Sequence, residues 1–224
     1  MNIDIYNNKN NKQNESIFEY AGYYQDYLDS IGINLDEHYT LGNKISLDID
    51  HSRFVNYFRN KAKEYQVKNY IPRPFYPDSD MRQAVCMMHL GYCKENATER
   101  NIGLNPIDNQ TLKNMVGTGN FEKLGLDPET CLVRMLEYNP GNGIPLHTDS
   151  FNAFKSKYGE DGRRITRYFV AVSPWDWGHM LQVHDNIIAN WKVAYEIPEG
   201  IYHLSNNFGI APKYTLTVTG FVDE

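Results

Sequence analysis

The chain has 224 residues, of which 41% are hydrophobic and 13% aromatic, and its net charge is −6. This length fits one domain, or one core with an added lobe, and excludes two independent enzymes. The hydrophobic content excludes wholesale disorder, and the acidic balance argues against nucleic acid as a partner, because phosphate binding needs a basic footprint.

The three cysteines, Cys86, Cys93 and Cys131, are odd in number and show no Cys-x-x-Cys spacing. They indicate neither a disulfide framework nor a zinc site, and they predict a reducing, cytoplasmic setting. No basic segment followed by an apolar run opens the sequence, and no stretch is long enough to span a bilayer. We therefore expect no membrane association, while the oligomeric state stays open.

The N-terminal half is predicted to be mainly helical. Residues 1–15 are rich in Asn and Lys and predict a flexible arm, followed by a single domain over residues 16–224. Within this domain, residues 16–130 are predicted to be a support region. Apolar residues at helical spacing predict helices there over residues 17–28, 50–65, 81–91 and 110–116. Asp50 is the expected N-cap of the second helix, and the remainder of residues 96–127 is predicted to be loop.

From Cys131 onward the pattern changes to short apolar runs separated by Gly, Pro and Asn. Residues 131–224 therefore predict a jelly roll or related barrel, so the fold class is α+β with a mainly β core and N-terminal helices packed on it. On the first strand, Arg134 shares a face with Leu132, Leu136 and Tyr138. Its side chain either reaches into a pocket or makes a salt bridge on the outer face.

Two further features leave alternatives open. Residues 150–162 carry aromatic side chains close to the candidate site described next, and they form either a lid or a plain surface loop. Basic residues cluster within 53–73 and 155–167. The second cluster comprises Lys155, Lys157, Arg163, Arg164 and Arg167, and both clusters are predicted to be solvated faces rather than binding patches.

The segment His147-Thr-Asp149 is the strongest chemical signal. In an extended strand, residues two apart point to the same face, so this imidazole and carboxylate could bind one ion. A divalent first-row metal needs a third ligand, and His203, His179 and His184 are the alternatives. His203 is favoured because it leaves room for several intervening strands. Two histidines and one carboxylate form the facial triad of non-haem Fe(II) oxygenases.

Ten residues beyond His203, the run from Lys213 to Thr219 alternates with period two. Lys213, Thr215 and Thr217 share one face, and Tyr214 and Leu216 share the other. The polar face lies either in water, as on an ordinary half-buried strand, or inside a barrel, where it could hold a dicarboxylate.

Three short motifs occur in order along residues 131–221: Tyr138-Asn-Pro-Gly-Asn-Gly before His147-Thr-Asp149, then His203, then Lys213-Tyr-Thr-Leu-Thr-Val. In this order they resemble the catalytic core of Fe(II)/2-oxoglutarate-dependent oxygenases, and within that superfamily they are most similar to prolyl hydroxylases. The resemblance implies a double-stranded β-helix over residues 131–224 and a dioxygenase that hydroxylates a C–H bond.

The resemblance also implies the cofactors and their residues. Fe(II) would be bound by His147, Asp149 and His203, with 2-oxoglutarate as co-substrate and ascorbate as a candidate for reactivation. Lys213 would bind the far carboxylate of 2-oxoglutarate, where most of the superfamily has Arg. The residues expected to assist at the co-substrate are Tyr138, Thr217, Tyr168 and Thr215, and those expected at the substrate are Arg134, Trp175 and Trp177.

The implied substrate is a proline, either in a peptide or protein or as a small amino acid. Three alternatives remain at this point. The first is a 2-oxoglutarate oxygenase that acts on free amino acids, other small molecules or nucleobases. The others are a non-catalytic, cupin-like jelly roll that binds a metal or ligand, and a metal-dependent isomerase on the same barrel. Lys213 is the feature that favours an oxygenase over the last two.

Overall fold

The computed structural model describes residues 42, 44–61, 67–69, 98–103, 105–149, 151–160, 162–188 and 192–222. The chain divides into two compact units, one formed by residues 1–38 and 71–92 and the other by residues 39–70 and 93–224. All described residues belong to the second unit. The predicted arm over residues 1–15 and the predicted helices over residues 17–28 and 81–91 lie outside the described residues, and the single-domain boundary at residue 16 stays a prediction.

The larger of two sheets has seven antiparallel strands. They are β1 (Lys44–Ser46), β2 (Val67–Asn69), β3 (Thr98–Ile102), β4 (Leu132–Tyr138), β6 (Arg164–Ala171), β9 (Val193–Pro198) and β11 (Lys213–Val222). Their spatial order is β1-β9-β6-β11-β4-β3-β2. The long strand β11 therefore lies between β4 and β6, and its residues are buried along its whole length.

The smaller sheet has four antiparallel strands in the order β5-β10-β7-β8. They are β5 (Gly143–His147), β7 (His179–Val183), β8 (Asn186–Ile188) and β10 (His203–Asn207). The connection from β4 to β5 is the tight turn over residues 139–142, in which Gly141 has a φ of 82°. A positive φ favours glycine, so the Pro-Gly-Asn-Gly phrase is explained by the turn between the two sheets.

The described helices are α1 (His51–Lys61), α2 (Pro106–Val116), α3 (Thr118–Leu124) and α4 (Asn152–Tyr158), with a 3₁₀ turn at Pro128–Thr130. Asp50 caps α1 as predicted, since its Oδ1 accepts hydrogen bonds from the backbone N–H groups of Ser52 and Arg53 at 3.1 and 3.4 Å. The predicted residues 62–65 of this helix lie outside the described residues.

The helix predicted over residues 110–116 is present but starts earlier, at Pro106. Asn105 caps it by accepting a hydrogen bond from the N–H of Asp108 at 2.8 Å. An Asn followed by Pro at the first helical position is a start signal that the sequence carries. The loop predicted over the rest of residues 96–127 is wrong in part, because this segment also contains α3 and strand β3.

The main hydrophobic core lies between the helices and one face of the larger sheet. Its members include Phe54 and Phe58 of α1, Leu112 of α2, Phe121 of α3, and the sheet residues Met135, Val170, Leu216 and Val218. Because side chains alternate along a strand, the opposite face of β11 presents Lys213, Thr215 and Thr217. Lys213 reaches Ser205 of β10, so this face is directed at the smaller sheet.

Two antiparallel sheets thus lie face to face, and helices cover the outer side of the larger one. This is a jelly-roll β-sandwich with added helices, and the predicted fold class is confirmed. The polar face of β11 lies between the sheets rather than in water. Among the described residues, no helix combines the length and the apolar character needed to cross a bilayer.

Candidate metal centre

The pairing of β5 with β10 brings two histidines together at one end of the smaller sheet. His147 is the last residue of β5 and His203 the first of β10, and they are direct cross-strand partners. Their ring centroids are 4.3 Å apart. The β5–β10 register shifts between His203 and Ser205, so this pair lies at an irregular end of the ladder.

Asp149 completes the cluster two residues after His147. Its Oδ1 lies 3.6 Å from Nε2 of His147, and its Oδ2 lies 3.3 Å from Nε2 of His203. One ligand atom from each residue lies within 4.8 Å of the other two. Among the described residues, no other group of three or more His, Cys, Asp and Glu side chains has this spacing. Two imidazoles and one carboxylate in this arrangement fit a divalent first-row metal and leave coordination positions for other ligands.

The orientation of His203 suits a metal ligand. Its Nδ1 lies 2.9 Å from the backbone oxygen of Ile201. A carbonyl can only accept, so Nδ1 carries the proton and the lone pair of Nε2 points toward Asp149. Burial, together with the neighbouring His147, lowers the pKa of His203. The imidazole is therefore held neutral, which is the form that binds metals.

The carboxylate of Asp149 is held in its charged form. Burial by itself acts to raise the pKa of Asp149, but the positive charge of the adjacent Arg167 guanidinium outweighs burial and holds this pKa well below its usual range. The cluster therefore presents one carboxylate anion beside two imidazole rings.

Arg167 is a site residue that the sequence analysis missed. Its Nη1 donates to Oδ2 of Asp149, its Nε donates to Oγ1 of Thr219 at 3.0 Å, and its guanidinium lies 4.9 Å from the ring centre of Phe151. Its assignment to a solvated basic face is wrong. The sequence does carry a signal for Arg167, because side chains alternate along a strand. Arg167 lies two residues before Phe169 on the same face of β6, and both line the cavity.

A cavity of about 280 Å³ opens beside the three candidate ligands. Its lining includes side chains from both sheets and from α4. Besides His147, Asp149 and His203, the lining comprises Leu132, Arg134, Leu136, Tyr138, Ile144, Thr148, Phe151, Asn152, Phe154, Arg167, Phe169, Ser205 and Thr217. The structure therefore brings Arg134, Tyr138 and Thr217, which were predicted for the site, to the same cavity as the metal cluster.

Lys213 lies behind the cavity wall and is only 1% exposed. Its Nζ donates to the backbone oxygen of Met180, to Oγ of Ser205 at 2.7 Å and to the backbone oxygen of Asn206 at 3.4 Å. The aromatic rings of Tyr138, Phe169 and Trp175 surround it, with ring centres 5.1, 5.8 and 5.2 Å from Nζ.

The charge of Lys213 has no carboxylate partner among the described residues: its hydrogen bonds there go to neutral oxygens. Burial lowers its pKa well below the usual value for lysine. Aromatic faces partly stabilise a cation, but a buried ammonium without a counter-ion remains unfavourable. Tyr138, Phe169 and Ser205 touch Lys213 and also line the cavity, so they separate it from the cavity space.

Two of the three threonines on the polar face of β11 have hydroxyls without a hydrogen-bond partner among the described residues. Oγ1 of Thr215 and Oγ1 of Thr217 are buried and have no hydrogen-bond partner within the described part of the chain. Thr217 lines the cavity, whereas Thr215 does not. A buried hydroxyl without a partner is uncommon in folded proteins, and it is compatible with a ligand that supplies one.

Five of the predicted site residues do not line the cavity: Lys213 and Thr215, described above, and Tyr168, Trp175 and Trp177. Tyr168 points into the main core, because the register of β6 against β11 turns Arg167 and Phe169 toward the smaller sheet. Trp175 packs on His179 and Lys213 and lines a different surface pocket, and Trp177 is 74% exposed. The predicted roles of Tyr168 at the co-substrate and of the two tryptophans at the substrate are therefore corrected.

The competing histidines are not part of the cluster. Nδ1 of His179 accepts a hydrogen bond from the N–H of Asp176 at 3.2 Å, and its Nε2 donates to the backbone oxygen of Ala211 at 3.0 Å. Both ring nitrogens of His179 are thus occupied. His184 has a φ of 52°, and its Nδ1 lies 3.3 Å from Asp185 Oδ1. Among the three alternatives, His203 is the one that meets His147 and Asp149.

The described part of the predicted lid or loop segment, residues 151–160, contributes to a wall of the cavity. It contains α4, whose Phe154 packs against Phe221 and Tyr158 with ring centres 4.9 and 5.0 Å apart. The hydroxyl of Tyr158 donates to the backbone oxygen of Cys131 at 2.8 Å. Phe151 and Phe154 are buried and line the cavity, so this segment is not a plain surface loop.

Comparison with known proteins finds no matching family model and no matching curated protein. Solved structures do show similarity. A prolyl-4-hydroxylase from Pseudomonas putida is 13% identical, covering 84% of this chain and 96% of that one, with a TM-score of 0.48. The non-haem alpha-ketoglutarate-dependent epimerase SnoN from nogalamycin biosynthesis is 8% identical, covering 80% and 76%, with a TM-score of 0.45.

A cupin 2 conserved barrel domain protein from Rhodopseudomonas palustris is 12% identical, covering 71% of this chain and 74% of that one, with a TM-score of 0.33. These neighbours are at most 13% identical to this chain and carry different descriptions. Function therefore has to be derived from the residues of the site.

Proposed function

We propose that this chain is an Fe(II)- and 2-oxoglutarate-dependent dioxygenase that hydroxylates a C–H bond. The metal would be held by His147, Asp149 and His203, whose donor atoms are already grouped around one point. Iron supplies the redox chemistry by which dioxygen and the 2-oxo acid are used to oxidise the substrate. In balance, R–H, O₂ and 2-oxoglutarate give R–OH, succinate and CO₂.

Neighbouring residues hold two of the three candidate ligands in a fixed orientation. Ile201 fixes the ring of His203 with Nε2 toward the metal position. Arg167 holds one oxygen of Asp149, which leaves the other oxygen for the metal. Partners of this kind orient metal ligands and are commonly worth about tenfold to a hundredfold in metal affinity.

The observation that carries the proposal is the buried amino group of Lys213. It has three neutral acceptors and three aromatic neighbours, and among the described residues no carboxylate bonds to it. A dicarboxylate bound at the metal by one end would provide this missing anion with its other end. Ser205 and Tyr138 border both Lys213 and the cavity, and small movements of their side chains would open the way between them.

A jelly roll that binds a metal only for structural purposes, or a metal-dependent isomerase, gives no reason for this arrangement. Neither needs an unpaired cation buried next to the metal cavity. A buried amine has a cost in stability, so it favours a role in binding an anionic ligand.

Succinate formation is the direct test of the proposal. Purified protein is incubated aerobically with Fe(II), ascorbate and 2-oxoglutarate, and substrate-independent succinate production is measured by mass spectrometry. We expect slow turnover in the wild type and loss of turnover in Lys213→Met. The matched control is Lys123→Met, which removes an exposed lysine of α3. Absence of succinate in the wild type, or equal rates in both variants, would contradict the proposal.

A further inference from the structure

Besides Arg167, which is paired with Asp149, a second guanidinium lines the cavity, and it is separate from the buried Lys213. Arg134 lies on β4 and lines the same cavity as the metal cluster. Its direct cross-strand partner on β11 is Thr217, which lines the cavity too. Directly opposed residues in an antiparallel pair have Cβ atoms about 4.5–5.5 Å apart, so one small group can contact both side chains.

The hydroxyl of Thr217 gives a second indication of a ligand, independent of Arg134. Its side chain is 6% exposed, and its Oγ1 has no hydrogen-bond partner among the described residues. A hydroxyl can donate to an oxyanion while the neighbouring guanidinium provides charge and further N–H donors. Arg134 and Thr217 together therefore have the chemistry of a carboxylate-binding pair.

This pair is distinct from the proposed co-substrate anchor. Thr217 and Lys213 lie four residues apart on the same face of β11, which is about 13 Å along an antiparallel strand. Arg167 lies on the other side of β11, where it is bound to Asp149 and serves the metal cluster. The cavity thus has one anion site toward Lys213 and another at Arg134 and Thr217.

The remaining walls near the pair are apolar. Leu132 and Leu136, two residues on either side of Arg134, line the cavity, as do Phe151 and Phe154. An oxyanion in such surroundings is bound in one place, which orients the rest of the molecule. The cavity of about 280 Å³ would also hold the 2-oxo acid, so the space that remains for the primary substrate fits a small molecule.

We propose that the primary substrate is a small molecule with a carboxylate group, such as a free amino acid, bound by the Arg134 guanidinium and the Thr217 hydroxyl. This inference rests on the proposed oxygenase function and specifies its substrate class. Binding at this pair places a C–H bond of the substrate beside the metal cluster. That bond is replaced by C–OH with one oxygen atom of O₂, and the other oxygen atom enters succinate.

The test measures ligand binding as well as turnover. Anaerobic protein loaded with Fe(II) and 2-oxoglutarate is titrated with the twenty common amino acids, acetate and benzoate, and with carboxamides of the amino acids that bind. Binding is followed by the change in the visible band of the metal-bound 2-oxo acid and by thermal stability. We expect at least one carboxylate to bind, and its carboxamide to bind about tenfold to a hundredfold more weakly, the range for loss of a charge-assisted hydrogen bond.

Two variants and one control locate the site. Arg134→Met should lose the preference for carboxylate over carboxamide, and Thr217→Val should reduce it partly. Arg53→Met removes an exposed guanidinium of α1 and should behave as wild type. If no member of the panel binds, or if Arg134→Met retains the carboxylate preference, the inference is overturned. If 2-oxoglutarate itself gives no spectral change, the proposed function fails instead, and the thermal shifts alone then decide whether Arg134 binds carboxylates.

Discussion

The guanidinium of Arg167 is ion-paired with the carboxylate of Asp149 at the wall of the cavity, and both side chains are largely buried, at 14% and 16% exposure. Thr219 on the neighbouring strand β11 accepts from Nε of the same guanidinium. The pair therefore connects the larger sheet to the segment that follows β5. One consequence is that the position of a candidate metal ligand depends on a residue of the opposite sheet.

Replacing Arg167 should weaken metal binding without removing any ligand. We expect Arg167→Met to lower affinity for Mn(II) or Fe(II) by about tenfold to a hundredfold, because an outer partner of a ligating carboxylate is lost. Isothermal titration calorimetry under anaerobic conditions measures this directly. The control is Arg164→Met on the same strand, which breaks a 2.6 Å ion pair with Glu196 away from the cavity. A similar loss of affinity in both variants would show a general effect of destabilisation.

How far the sequence predicts this site depends on whether a signal is local. His147 and Asp149 lie two residues apart on one extended segment, and their shared direction follows from strand geometry alone. Which face of a strand meets the cavity cannot be read from the strand's own sequence. For β6 it is set by pairing with β11, where Thr219 lies opposite Arg167 and Thr217 opposite Phe169. The prediction for Tyr168 was wrong for this reason, and Arg167 was missed.

Lys213 should cost stability in the absence of ligand. Lys213→Met should raise the free energy of unfolding of the metal-free protein at neutral pH by on the order of 1 kcal/mol or more, since a desolvated cation is replaced by an apolar side chain. Its folded-state pKa is lowered below the usual 10.5, so the unfolded chain binds more protons. The penalty in the wild type is therefore relieved as pH rises toward 10.5, and the two proteins converge. Urea unfolding at a series of pH values measures the difference in free energy of unfolding between the wild type and Lys213→Met.

If this difference in free energy of unfolding stays constant or increases with rising pH, the buried Lys213 is not destabilising in the way described. The same variant should bind 2-oxoglutarate less tightly than wild type by about tenfold to a hundredfold, because a charge-assisted bond is lost. Lys123→Met again provides the matched control, because it removes a lysine that is exposed.

Gly143 should tolerate no side chain, because β10 approaches it closely. A Cβ at this position would lie 1.8 Å from Oδ1 of Asn206 and 2.8 Å from the backbone oxygen of Ser205. Gly143→Ala should therefore lower the free energy of unfolding by roughly 1–3 kcal/mol and disturb the β5–β10 pairing that joins His147 to His203. Thermal unfolding and metal titration measure the two effects.

Gly119 is the matched control for that substitution. It lies within α3, and a Cβ there would meet no atom within 4 Å. Gly119→Ala should stabilise the protein by up to about 1 kcal/mol, as expected for alanine in place of glycine in a helix. If Gly143→Ala is as stable as Gly119→Ala and binds metal normally, then the close approach of the two strands is not a constraint.

Cys131 should be chemically inert in the folded protein. Its side chain is fully buried, and burial raises the pKa of its thiol to about 12. Since the thiolate is the reactive form, iodoacetamide at pH 8 should leave Cys131 unmodified in native protein and modify it in urea. Peptide mass spectrometry before and after denaturation measures the fraction labelled. Rapid labelling of the native protein would show that the strand end at residue 131 opens readily.

The proposed function requires that His147, Asp149 and His203 hold an iron that a 2-oxo acid can chelate. The most direct measurement is an anaerobic titration of the protein with Fe(II) and then 2-oxoglutarate, followed by visible absorption. We predict a weak charge-transfer band that appears only with both components, is absent in His203→Ala, and is retained in His184→Asn. A wild-type protein that shows no band, or a His203→Ala variant that keeps it, would contradict the account.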